Sequence, residues 1–273
     1  MLHIYTLSWN GLDKLVKLRD GLMQNLKDID YHWYIKDNGS VDGTVQEVLK
    51  WQGNITCVEY PNNLQNFAEG MNYLYNISQA KDNDYVMLLN NDVIFRDPNS
   101  ISKMISLFKP NVGVVGARLL FTGTNKLQHA GVVFDSNNRF PKHFRLGQDS
   151  DSDSKKDREF QAVTGAVLLT KSLYYKNACS SNKSGIAGMD ERFVWAFEDI
   201  DLCLNIKFKQ NKKIMYCGST GIYHEESASL KKNPVNKLHM PHNLKLFRSK
   251  WDNVYEVDDR KYTTSKNYGV QAG

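Results

Sequence analysis

Short apolar runs alternate with helix-spaced segments through the first 117 residues, and that alternation constrains the fold more than any other feature of the chain. The runs are LHIYTL from Leu2, YHWYIK from Tyr31, ITCVEY from Ile55, DYVMLL from Asp84 and VGVVGA from Val112. Their length and their turn-forming flanks mark them as strands. Between them, residues recur at steps of three and four: Leu12, Leu15, Val16, Arg19, Leu22, Met23 and Leu26, then Val45, Val48 and Leu49, then Phe67, Met71, Leu74, Tyr75 and Ile77. That is the buried stripe of an amphipathic helix. Pro98, just after Asp97, sits where a further helix starts. Strand and helix in repeated succession predict an α/β fold, with a mainly parallel central sheet and helices on both faces.

From Arg118 the pattern changes. ARLLF, GVVFD and FQAVTGAVLLT follow one another without helices between them, which predicts antiparallel strands added at the far edge of the sheet. The polar, charged stretch from Gly147 to Glu159 reads as a flexible loop. A helix is expected from Ala196 to Gln210, and a last amphipathic helix from Asn236, interrupted or started by Pro241. The expectation is one domain over 1–273, with a nucleotide-binding half at 1–117, an acceptor and catalytic half at 118–230, and a helical tail at 231–273.

Composition narrows the class. At 41% hydrophobic and 24% charged residues, the chain has the balance of a soluble globular protein. A net charge of +5 is a mild bias that suits an anionic small ligand or a membrane surface as well as nucleic acid. No charged leader with a long apolar stretch and no run approaching 18 apolar residues is present, so a cytoplasmic address is expected. Cys57, Cys179, Cys203 and Cys217 are far apart and form no CxxC pair, which disfavours zinc and redox sites.

Ligands of open α/β sheets bind at the carboxyl ends of the strands. TLSWNG follows the first strand here, DNGSVDGT the second, PNNLQNFAEGMN the third and NNDV the fourth, all rich in amides, hydroxyls or carboxylates. Neither a GxxxxGK[ST] loop nor a GxGxxG helix opening is present. A carboxylate such as Asp92, at the end of a buried strand, is costly unless paired or bound to a cation, and a hard divalent ion would suit it. Its plainer reading is an Asx turn. Glu198, Asp199 and Asp201 cluster at a helix start, where acids complement the macrodipole. Three within four residues, beside Phe193, Trp195 and Phe197, exceed what a cap needs and make a general base available. His224, after a short apolar strand, is either a structural histidine or a metal ligand.

DNGSVDGT, NNDV, FEDIDL and YHEES, in that order, resemble the inverting family 2 nucleotide-sugar glycosyltransferases of the GT-A fold, across roughly residues 3 to 251. Among these the chain looks most like the rhamnosyltransferase-like members that build polysaccharide or cell-surface glycans. The resemblance implies that Thr6 and Asn10 contact the nucleotide, and that Asp37 hydrogen-bonds the base in a turn shaped by Gly39 and Ser40. Asn66 would reach the nucleotide or diphosphate, with Asn90 and Asn91 facing the donor. Asp92, the last residue of a DxD-like motif whose first aspartate is Asn90 here, would bind Mn2+ or Mg2+, with His224 completing the site. Asp199 would deprotonate the acceptor hydroxyl, Glu198 and Trp195 would contact the acceptor, and Gly165 would allow close backbone approach.

The implied partners are a UDP- or dTDP-linked sugar and a glycan or lipid-linked acceptor, with no nucleic acid. Peripheral contact with the inner membrane face through the basic tail is a further expectation, beside the reading in which Leu238, Leu244, Phe247 and Trp251 pack that tail on the core. A sugar nucleotidyltransferase and a silent binding module are the competing classes. SWNGLDK lacks the former's glycine-rich basic signature, and the joint presence of Asp92, Asp199 and His224 argues against the latter.

Overall fold

The computed structural model describes residues 1–60, 66–180, 182–194, 196–225 and 235–262. The predicted alternation appears as β1 (Leu2–Ser8), α1 (Leu12–Asn25), β2 (Tyr31–Asp37), α2 (Thr44–Val48), β3 (Ile55–Glu59), α3 (Phe67–Ser78) and β4 (Tyr85–Leu89). A two-residue β5 (Val93–Ile94), α4 (Ser100–Ser106) and β6 (Val112–Phe121) follow. Next come β7 (Leu127–His129), β8 (Val132–Phe134), β9 (Pro141–His143), β10 (Arg158–Phe160), β11 (Val167–Lys171) and α5 (Ser172–Lys176). The chain continues through α6 (Glu198–Leu204), which widens into a π-helical turn over Asn205–Lys209, then β12 (Lys213–His224) and α7 (Val235–Trp251).

The main sheet runs β10-β12-β6-β11-β4-β1-β2-β3. β4, β1, β2 and β3 are mutually parallel, and β6 is parallel to β12. Side chains alternate between the two faces, as a pleated strand requires. Ile4 and Met87 join Leu15, Leu18 and Leu22 of α1 on one face, whereas Tyr5 and Leu88 join Met71 and Leu74 of α3 on the other. A third cluster, with Phe134, Phe193, Phe197, Phe247 and Trp251, fastens α7 to α6.

Three expectations change. FQAVTGAVLLT is not one edge strand: β10 lies at the edge, but β11 is inserted antiparallel between β4 and β6. The stretch from Gly147 is tied down rather than loose: Arg145 grips Asp151 through two guanidinium nitrogens at 2.9 Å, Ser154 is buried, and Arg118 donates to Ser150. Pro241 lies inside α7 and neither starts nor ends it. Among the described residues no helix is long and apolar enough to cross a membrane. The four cysteines are free thiols.

Candidate active site

The loops after β1 and β2 clamp one another. Asp37, fully buried at the end of β2, accepts from the Gly39 and Ser40 amides at 3.0 and 2.7 Å and from the Ser40 hydroxyl at 2.6 Å. Gly39 turns the chain with φ 86°, a conformation that costs glycine little. Asn10, itself at φ 46°, donates its amide to Ser40 Oγ and accepts from the Val41 amide, both at 2.8 Å. Asp42 accepts from the Leu12 amide at 3.0 Å and from Thr44, so it anchors the start of α1 as well as α2.

Two expected donor contacts are engaged elsewhere. Thr6 is buried within β1, where its hydroxyl accepts from the Trp33 indole at 2.9 Å. Asn66 is the N-cap of α3: its side chain accepts from the Glu69 amide at 2.8 Å, Glu69 caps it in return, and its amide donates to the Glu191 carbonyl at 2.9 Å. NFAE carries the capping-box spacing, a signal legible in the sequence.

The second corner forms where β4 ends. β12 bulges between Cys217 and Ile222, and its last residues pair with β5, setting His224 opposite Val93 and so beside Asp92. Gln128 Nε2 donates to the His224 carbonyl at 3.4 Å, which orients the amide so that Oε1 accepts from His224 Nδ1 at 2.7 Å. The tautomer assigned from this network leaves a lone pair on Nε2. Asn90 Nδ2 donates to Nε2 at 3.3 Å. Asp92 Oδ1 stands 3.0 Å from Nε2, buried and accepting no aligned hydrogen bond. Two lone pairs this close repel unless a proton or cation lies between them, so this donor set fits a divalent ion. Among the described residues no group of three or more His, Cys, Asp or Glu side chains is placed to hold a metal. Further ligands would have to come from phosphate oxygens and water, as is usual for Mg2+. Burial works to raise the Asp92 pKa, but when a proton sits on His224 Nε2 its hydrogen bond and charge, together with the charge of Lys14, outweigh burial and hold the carboxyl below its ordinary value. Asn91 presses on α1, where a Cβ built on Gly11 would lie 2.8 Å from Asn91 Nδ2.

The third corner is the start of α6. Ala196 and Phe197 both take left-handed φ, 72° and 74°, a strained turn that throws the next two carboxylates into a cleft. Asp199 Oδ2 accepts from the Gly165 amide at 2.7 Å and Oδ1 from the Ile200 amide at 2.8 Å. Gly165 permits this approach, because a Cβ there would lie 3.1 Å from Asp199 Cβ. Glu198 Oε2 is buried without a hydrogen-bond partner, and burial, with the Asp199 charge second, pushes the Glu198 carboxyl up to about 8. Asp201 turns away: its carboxylate accepts from the Trp251 indole at 2.7 Å and meets Lys250 at 2.5 Å. Trp195 lies outside the described residues. A cleft of about 440 Å3, lined by Phe67, Asn90, Thr164, Gly165, Glu198 and Asp199 among others, joins this corner to the second. Its size suits a small-molecule substrate.

The site thus offers an ionisable base on backbone amides, a neutral acid beside it, and an oxygen and nitrogen pair for a hard cation. The sequence reading did not include Gln128, which orients His224, or Lys14, which faces Asp92; neither sits in a motif. A model of the family described as Glycosyl transferase family 2 matches residues 8–162, more than half of the chain. An uncharacterized protein of Sinorhizobium fredii is 30% identical over 210 residues, which are 73% of this chain and 22% of that protein. Three solved structures share the fold. A mannosyltransferase from Pyrobaculum calidifontis in complex with GDP-Man and Mn2+ has a TM-score of 0.61 and 12% identity, over 94% of this chain and 65% of that one. S. aureus TarS 1-349 with UDP-GlcNAc has a TM-score of 0.62 and 13% identity, over 91% and 66%. GalNAc-T7 with UDP, GalNAc and Mn2+ has a TM-score of 0.61 and 9% identity, over 94% and 58%. The chain therefore spans about a fifth of its curated relative and under two thirds of each of these solved chains.

Proposed function

The chain belongs to glycosyl transferase family 2, and from that premise we propose that it is a metal-dependent, inverting transferase that moves a sugar from a nucleoside diphosphate sugar to a hydroxyl of a glycan or glycolipid acceptor. The observation that carries this reading is Asp199, held by the Gly165 and Ile200 amides at the wall of the cleft that Asn90 also lines. In the proposed reaction Asp199 takes the proton of the acceptor hydroxyl while that oxygen attacks the anomeric carbon. The bond from that carbon to the diphosphate oxygen breaks on the opposite face, which gives net inversion. Glu198, with its carboxyl pushed up to about 8, keeps its proton at neutral pH and donates a hydrogen bond to the sugar or acceptor.

Asp92 and His224 would hold Mn2+ or Mg2+, and the bound ion supplies charge stabilisation to the departing diphosphate. The turn at Asp37, Gly39 and Ser40, braced by Asn10, is the proposed nucleobase cradle, for a UDP- or dTDP-linked sugar. Rhamnosyl and other hexosyl donors both fit this reading. Lipid-linked acceptors are favoured by α7, whose sequence contains no acidic residue and whose exposed side carries Leu238, Lys245 and Arg248, while Met240 lines the cleft. In this reading the reaction runs at a cytoplasmic membrane surface, in polysaccharide or cell-surface glycan synthesis.

A ligand that binds only the folded state raises its melting temperature. In a thermal-shift screen of UDP-, dTDP- and GDP-sugars with and without Mn2+, a UDP- or dTDP-sugar should raise it, and more so with Mn2+. If no nucleotide sugar shifts the transition at millimolar concentration with Mn2+ present, the reading fails.

A further inference from the structure

Resting on the reading above, we propose that Lys14 is a diphosphate-binding residue that shares the charge of the donor's leaving group with the Asp92 and His224 corner. Nucleoside diphosphate binding should therefore survive removal of the divalent ion. Lys14 is the third residue of α1, a first-turn position where the helix dipole disfavours a cation. Its ammonium is nonetheless turned inward, 3.7 Å from Asp92 Oδ2, with the side chain only 25% exposed. At that distance the contact is an ion pair and not a hydrogen bond. Among the described residues the ammonium makes no hydrogen bond, so its three N–H donors are available for phosphate oxygens, to which charge-assisted bonds are strong.

Position makes the assignment specific. The first turn of α1 touches both ends of the donor site: the Leu12 amide is bound by Asp42 in the proposed nucleobase turn, and Lys14 faces Asp92 in the cation corner. A diphosphate joining a base in that turn to a cation at Asp92 has to pass along this turn of helix. The Asp92 oxygens are also divided, Oδ1 toward His224 and Oδ2 toward Lys14, so the ammonium and a bound cation need not displace one another. Asn90, in place of a second acid, leaves one carboxylate in the motif for Lys14 to offset. Lys17, one turn on, is paired with Glu225 at 3.4 Å and serves as the control.

The test is calorimetric titration of the full chain with UDP and UMP, and with dTDP and dTMP, in EDTA and in Mn2+. Wild type, Lys14→Met, Lys14→Arg and Lys17→Met are compared. The expected result is measurable diphosphate binding by wild type in EDTA, weakened about tenfold or more in Lys14→Met. It should be restored to within about threefold in Lys14→Arg, and monophosphate affinity should be equal in wild type and Lys14→Met. Equal diphosphate affinity in wild type and Lys14→Met, or an equal loss for mono- and diphosphate, overturns the role of Lys14. So does wild-type binding that needs Mn2+, and in each of these cases the function proposed above still stands. Absence of any diphosphate binding by wild type even with Mn2+ overturns both.

Discussion

Glu198 and Asp199 are adjacent carboxylates with opposed surroundings, and that difference underlies the roles proposed for them. Asp199 sits on two backbone amides, whereas Glu198 Oε2 has no partner and its carboxyl is pushed from 4.5 to about 8. Between those two values the folded chain retains a proton that the unfolded chain has released. Stability from this group is therefore full below about pH 4.5 and is lost as pH rises toward 8. Melting temperature should fall from pH 5 to pH 8 more steeply in wild type than in Glu198→Gln; equal slopes would contradict the assignment. The sequence displayed both acids as a cluster, but the burial that separates them depends on a turn with two left-handed residues that no local pattern announces. Thr6 and Asn66 show the converse. Each lies in a loop-facing motif, yet the phase of β1 aims Thr6 at Trp33 and the capping box takes up Asn66. Lys14 and Gln128 carried no motif, because their importance comes from what folding sets beside them.

At the scale of elements, Asp37 and Asp42 share one turn and do different work. Asp37 organises the Gly39 and Ser40 amides, while Asp42 fastens two helix starts. Asp37→Ala should weaken nucleotide binding by about tenfold or more. Asp42→Ala should cost about 0.5–2 kcal/mol of stability with smaller losses in affinity, as lost caps do. Comparable binding losses in the two variants would remove the cradle from the account. α6, which carries the proposed base, has its own anchor: Lys250 of α7 bridges buried Asp190 at 2.7 Å and Asp201 at 2.5 Å. Lys250→Met leaves buried Asp201 without its cation, while Asp190 keeps Arg192 at 2.6 Å, and should destabilise by about 3–5 kcal/mol, measured by urea unfolding. A loss below about 1 kcal/mol would mean that the bridge is not what holds α7 to α6. Helices α1 and α3 were legible because each carries a long apolar stripe. The place of β11 was not, since period-2 alternation says that a strand is half or fully buried and nothing about its neighbours.

For the whole molecule, the order of the motifs predicted the architecture better than any single motif did. Strand ends of the parallel half hold the turn proposed for the donor and the corner proposed for the cation. β11, entering between β4 and β6, brings the segment with Gly165 to the same edge, where it meets α6. β12 then returns to deliver His224. What could not be read from sequence is the assembly of these parts at one edge of the sheet, because the contacts that bring them together are long-range: Gly165 to Asp199, Asp92 to His224, Lys14 to Asp92. At this scale α7 should also bring the chain to anionic vesicles at low salt and release it at high salt, by co-sedimentation. Equal recovery in both would remove the membrane from the account. The central claim is that Asp199 removes the acceptor proton in a donor site it does not build. The direct measurement is the rate of nucleoside diphosphate release from the donor sugar by wild type and Asp199→Asn, with donor affinity measured on the same preparations. The account predicts a fall of about 10²–10⁴-fold in rate with donor affinity unchanged; an undiminished rate would contradict it.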